Sequence, residues 1–220
     1  MLALIATGVE EGLWLRAERQ TEGRGRLGRG WESPSGNLFA STLVHLRPTD
    51  PPAPMLAFVA AVALVEVLKG EAPLEPFLLK WPNDVLCDGA KLAGILLERT
   101  GDTVVIGIGV NLAHHPEGLD RSVTSLAARI GQAPDAEAFA HSLAAHFASW
   151  LVQWRESGQA AIIGAWHRYA HLPGTPLSVN LPDGSRLAGC YDGLDQDGAL
   201  KLRLADGAVR AIHAGDVFLV

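Results

Sequence analysis

The segment that most constrains the fold is the run at residues 55–68, where Ala60, Ala61, Val62, Ala63 and Leu64 follow one another with no polar face. A helix that is apolar on every side has to be enclosed. The run falls short of the roughly 20 residues a membrane span needs, and it contains Glu66. It is therefore expected to be a buried helix over residues 51–70, covered by sheet and by other helices.

Runs that could supply that cover flank it. Residues 13–18, 38–46, 77–86, 92–99 and 103–112 have strand character, and Asp88-Gly89 marks the turn between the third and fourth. Behind Pro134, the residues Phe139, Leu143, Phe147, Trp150, Leu151 and Trp154 mark one face of a helix over residues 135–156. A further helix is expected at residues 159–170. Past Pro173-Gly174 the pattern changes. Asp183-Gly184, Asp197-Gly198 and Asp206-Gly207 punctuate short strands about every ten residues, the signature of a small all-β barrel. The expectation is an α+β chain in two domains, residues 1–173 and 174–220.

Hydrophobic residues make up 48% and charged residues 19%, which suits a globular chain. A net charge of −6 argues against a surface built throughout for nucleic acid, so phosphate chemistry needs a local basic feature. Two cysteines, Cys87 and Cys190, are too few for a disulfide framework or a cysteine metal site. With no basic start or cleavage pattern visible, a cytoplasmic protein without a membrane segment is expected. Residues 1–7 read as the last two turns of a helix ended by Gly8, with no N-cap. On this reading the chain starts inside an element.

Three segments carry chemistry. Gly23-Arg24-Gly25-Arg26-Leu27-Gly28-Arg29-Gly30-Trp31 combines four glycines, which free the backbone to curl around a ligand and expose its N–H groups, with three guanidinium forks suited to phosphate. Trp31 adds an aromatic face. The same composition also fits an RNA contact or a solvated basic loop. Lys80-Trp81-Pro82-Asn83-Asp84 and Lys91-Leu92-Ala93-Gly94-Ile95-Leu96 form the second. If Asp84 ends one strand and Lys91 begins the return, a carboxylate and an ammonium meet. That pair could orient Mg²⁺ and neutralise charge at phosphorus, or merely decorate an exposed hairpin. Gly94 would let a ligand lie against the strand. The third is Gly107-Ile108-Gly109-Val110-Asn111, either a strand thinned for helix packing or one whose terminal Asn111 reaches a ligand.

GRGRLGRGW, KWPNDV, KLAGIL and GIGVNL, in this order and at these spacings, resemble the motif set of biotin–protein ligases over nearly the whole chain, from about Leu13 to Val220. The resemblance implies a mixed sheet packed with helices, similar to class II aminoacyl-tRNA synthetases and biotin ligases, followed by an SH3-like barrel. It implies an enzyme that joins biotin to ATP as biotinyl-5′-AMP and passes it to a lysine of a biotin carboxyl carrier protein. By the same resemblance, Gln20, Gly23, Arg24, Gly25 and Arg26 hold biotin and the adenylate, and Arg26 retains the intermediate when the loop closes. Lys91 contacts the biotin carboxylate and then the phosphate. Asp84 acts in ATP and Mg²⁺ binding and presents the acceptor lysine, with Asn83 and Asn111 supporting, while Gly94 and Gly109 line the biotin pocket.

The family's Ser-Thr-Asn segment, which contacts biotin, would fall upstream of Met1. A non-catalytic biotin-binding paralogue or an impaired form is therefore the alternative, with a lipoate ligase behind it. No helix-turn-helix precedes the motifs, so no DNA partner is expected, and family members often pair through sheet edges. The histidines are assigned to packing and loops: His167 and His171 share a helical face but have no third ligand nearby in sequence.

Overall fold

Local rules account for most element boundaries in the computed structural model, which describes residues 1–219 (Leu27 in its backbone only). Val220, the last residue of the expected second domain, lies outside them. The elements run α1 (Leu2–Ile5), β1 (Trp14–Ala17), β2 (Leu38–His45), α2 (Leu56–Glu71), β3 (Phe77–Lys80), β4 (Asp84–Cys87), β5 (Ala90–Thr100), β6 (Thr103–Val110), α3 (Leu126–Ile130) and α4 (Ala136–His167). They continue with β7 (Pro176–Asn180), β8 (Arg186–Leu194), β9 (Leu200–Arg203), β10 (Val209–Ile212) and β11 (Asp216–Leu219).

The apolar run becomes α2, and residues 56–65 are all buried. By length and composition the helical stretch Ala53–Glu71 could cross a membrane, yet here it lies between a sheet and α4. Its one mid-helix carboxylate is satisfied, because Trp150 Nε1 donates to Glu66 at 2.7 Å. Asp135 caps α4 by accepting from the N–H groups of Glu137 and Ala138. At Gly158, φ of 71° breaks the helical path. The two helices expected there are therefore two segments meeting at a kink.

The first sheet has six strands in the order β1-β2-β6-β5-β4-β3. Its ladders are antiparallel, and isolated parallel bridges at Leu79–Ala170 and Lys91–Val123 make it mixed. One expectation needs correction. Residues 77–86 were read as a single strand, but they form β3 and β4 with a reversal at Trp81-Pro82-Asn83, where the Trp81–Pro82 peptide is cis. Proline has no N–H for a ladder, so this is where pairing stops. Trp81 turns into the core instead, donating from Nε1 to the Gly198 carbonyl at 3.0 Å.

The second sheet, in the order β10-β9-β8-β7-β11, is antiparallel throughout, as SH3-like folds are. Among the described residues β10 and β11 are its two edges, so the ladder does not close into a barrel. The two sheets share one apolar cluster, and Gly198 of the Asp197-Gly198 turn packs on Met55, just before α2, and on Phe58 within it. A Cβ at Gly198 would stand 2.6 Å from the Phe58 ring.

Candidate active site

One transverse row of the first sheet organises the site. Direct cross-strand pairs run Lys80–Asp84, Asp84–Gly94, Gly94–Gly109 and Gly109–Phe39, so one row crosses five strands. Opposed residues in antiparallel strands point to the same face. The opposite face lies against α2. A pocket of about 670 Å³ opens over the row. Its floor is low in the middle because glycines occupy the row there, and charged at the β3–β4 end.

At that charged end Asp84, buried, accepts from Lys91 Nζ at 2.5 Å and lies 3.4 Å from Lys80 Nζ. The expected meeting of Asp84 with Lys91 is present, although Asp84 opens β4 rather than ending a longer strand. Burial pushes the Lys91 ammonium below its ordinary range, and the Asp84 charge pulls it part of the way back. Lys91 Nζ also lies 5.5 Å from the centre of the Trp31 ring, within reach of its π face.

Trp31 covers the glycines. A Cβ at Gly109 would stand 2.8 Å from the indole, and one at Gly94 would stand 3.2 Å from it. Any side chain at Gly109 would have to displace Trp31. Among the described residues the buried Trp31 Nε1 has no hydrogen-bond partner.

The arginine–glycine loop closes on itself. Gly25 N–H donates to Arg29 O at 2.7 Å, Trp31 N–H donates to Gly23 O at 2.9 Å, and a short 3₁₀ turn covers Arg26–Gly28. The loop glycines were expected to leave N–H groups free for a ligand. Those of Gly25 and Trp31 are instead used within the loop. Gln20, Arg24, Gly25, Arg26 and Trp31 all line the pocket. Gly23 does not, and serves as a packing position where a Cβ would overlap the Trp31 carbonyl. Gln20 accepts from Ser33 at 2.9 Å.

Two polar candidates spend their amides on the protein. Asn83 lines the pocket, but its Nδ2 donates to Ile95 O at 2.5 Å. Asn111 is buried outside the pocket lining, and its Nδ2 donates to Thr124 O at 3.1 Å. Asn111 thereby holds the segment that returns beside Lys91, where Thr124 N–H donates to Lys91 O. His167 Nε2 likewise accepts from Leu194 N–H and joins α4 to β8.

Lys80, Arg121 and Asp216, to which the sequence assigned no individual role, also line the pocket, as does Arg29 of the arginine–glycine loop. Lys80 opens the KWPNDV motif and lies directly opposite Asp84 once β3 and β4 are separated. Asp216 carried no local signal, since its partners Arg26 and Arg29 lie nearly the whole chain away.

The two-sheet fold with a glycine-floored, cation-rimmed pocket defines a ligase architecture that the comparisons identify. The model of the biotin/lipoate A/B protein ligase family matches residues 5–111, and that of the biotin protein ligase C-terminal domain matches residues 179–220. A biotin–[acetyl-CoA-carboxylase] ligase of Paracoccus denitrificans is 41% identical over 97% of this chain and 93% of its own length. The chain belongs to this ligase family. A Mycobacterium tuberculosis protein of the same name is 36% identical over 99% of this chain and 83% of its own length. The structure of the Aquifex aeolicus biotin protein ligase in complex with biotin and ATP superposes with a TM-score of 0.89 at 26% identity, covering all of this chain and 94% of that one.

Proposed function

We propose that this chain activates biotin with ATP to biotinyl-5′-AMP and transfers the biotinyl group to a lysine of a biotin carboxyl carrier protein in the cytoplasm. The observation that carries the reading is the transverse row: a glycine floor, covered by Trp31, leads directly to Lys91 and Asp84. An apolar ring system with a carboxylate tail fits that order when Trp31 swings aside, ring over Gly94 and Gly109, tail toward Lys91.

In the first step a biotin carboxylate oxygen attacks the α-phosphorus of ATP, and pyrophosphate leaves with the bonding pair. Both reactants are anionic, so Lys91, Lys80 and the loop arginines lower the repulsion and align them. In the second step the acceptor amine attacks the acyl carbon and AMP departs. Asp84 would hold that amine, and Arg26 with Trp31 would keep water from the mixed anhydride.

Mg²⁺ would arrive with the nucleotide. Among the described residues no three acidic, histidine or cysteine side chains converge, and the carboxylate at the charged end of the row, Asp84, sits between two lysines. Such a donor set suits a cation held mainly by phosphate oxygens, with Asp84 as its protein ligand. The edge strand β1 is the place where two chains would pair if the protein is a dimer.

The test is biotin-dependent exchange of labelled pyrophosphate into ATP, followed by labelling of a carrier domain. Exchange with biotin and not with lipoate supports the reading. Tight biotin binding without exchange would make the chain a binding protein, and exchange driven by lipoate would reassign its substrate.

A further inference from the structure

The start of β11 gathers three of the pocket's cations. Asp216 pairs with Arg29, and its other oxygen lies 3.9 Å from Arg26. Arg26 also approaches Gly215 O at 3.4 Å, and Lys80 Nζ donates to Val217 O at 3.2 Å. This strand belongs to the second sheet, and its backbone has little room to move. A Cβ at Gly215 would stand 2.8 Å from Val179 Cγ1 and 2.9 Å from Asn180 O, so the chain there presses against β7.

From this geometry we infer that Asp216 is a positioning residue that stands in for phosphate in the unliganded protein. Its carboxylate neutralises Arg26 and Arg29 and keeps the arginine–glycine loop folded over the pocket. It yields those guanidinium groups when a polyphosphate enters. The inference rests on the nucleotide-binding reading above and adds a partner that reading does not use.

Two features support an exchangeable contact over a merely structural one. Carboxylate and phosphate offer guanidinium the same planar pair of acceptors. Asp216 retains 24% side-chain exposure and Arg29 46%, so the pair sits at the mouth of the pocket where an incoming anion can reach it. Exposed pairs are also weak individually, which suits a contact that must break in every cycle. The fixed β7–β11 backbone then acts as the anchor to which the loop returns.

The experiment compares the wild-type chain with Asp216→Asn and Asp216→Glu. Trypsin cleavage after the loop arginines is followed without ligand and with biotin plus ATP, while pyrophosphate exchange gives KM for each substrate. Cleavage of a locally open loop tracks how often it opens. The unliganded Asp216→Asn protein is expected to be cut about fivefold faster, the scale of one weak ion pair. With both ligands it should be as protected as wild type, and its KM for ATP should fall while that for biotin stays unchanged. Asp216→Glu should restore protection. Unchanged cleavage without ligand overturns the inference. So does a raised KM for ATP with lost protection in the liganded state, since Asp216 would then act in the bound form. If Asp216→Asn does not fold, Arg29→Gln removes the same pair and must reproduce the faster cleavage. Failure of the wild type to exchange pyrophosphate or gain protection with ATP would sink the nucleotide-binding reading, whereas the unliganded comparison judges the loop contact separately.

Discussion

The floor and the roof of the pocket are built on different principles. The floor is β5 and β6, paired through an unbroken ladder from Ala93–Val110 to Thr100–Thr103 and backed by α2. Its shape comes from backbone register and from two residues that have no side chain. The roof is a loop of about ten residues held by two internal hydrogen bonds, one short turn and charges at its rim. Opening the floor would cost a share of the hydrophobic core, while opening the roof costs a few solvent-exposed contacts. The recognition surface is thus permanent, and the part that admits and then seals in the ligand is inexpensive to move.

Substitutions can press on that division. The largest effect is expected at Lys91→Ala, which should lower the adenylation rate about 10²–10³-fold, the scale of losing one group that stabilises developing charge. An unchanged melting transition would accompany it, because Asp84 keeps Lys80. Adenylation near the wild-type rate would remove Lys91 from the chemistry. Next comes the floor: Gly109→Val should weaken biotin binding by about 10–100-fold, since overfilling a packed site typically costs 1–3 kcal/mol. Titration calorimetry reads this directly, and normal affinity would show that the ligand does not lie over Gly109. For the roof, Arg26→Gly should release the adenylate about tenfold faster, as expected from loss of a charged hydrogen bond, with stray labelling of nearby lysines as the readout. Unchanged retention would count against the closing role.

The smallest effect tests whether β4, the strand beside the floor, opens at all. Cys87, fully buried at the end of β4, has its thiol pushed up to about 12 by burial and by Glu75, whereas Cys190 is half-buried. Alkylation followed by mass spectrometry should modify Cys190 first and Cys87 only slowly. Equal rates would mean that β4 parts from its neighbours as readily as the half-exposed β8.

The floor was largely legible in the sequence and the roof's support was not. Alternating and continuous apolar runs located β2, β5, β6 and α2, and Asp88-Gly89 located the hairpin, because these depend on residues close together in the chain. The reversal at Pro82 was obscured by apolar residues on both sides, and the distant contacts Trp81–Gly198 and Asn83–Ile95 fix it. Helix α3 escaped notice at five residues, although Ser125 caps it and Gly131, at φ 87°, ends it. Asn111 looked like a ligand group because a polar residue at a strand end usually faces outward; tertiary packing turned its amide to Thr124. Asp216 belongs to a contact that no local pattern encodes.

The transverse row has a further consequence, which concerns direction. Lys80, Asp84, Gly94, Gly109 and Phe39 come from three separate motifs and one further strand, yet strand register sets them side by side in a polarity gradient, ionic at one end and aromatic at the other. The sheet therefore works as a ruler laid across the strands: it fixes which end of a bound molecule meets which chemistry. Because side chains alternate faces along a strand, a single-residue slip in β5 would not blur that scale. It would turn Gly94 away from the pocket, put a neighbour's side chain in its place, and erase the gradient at its midpoint.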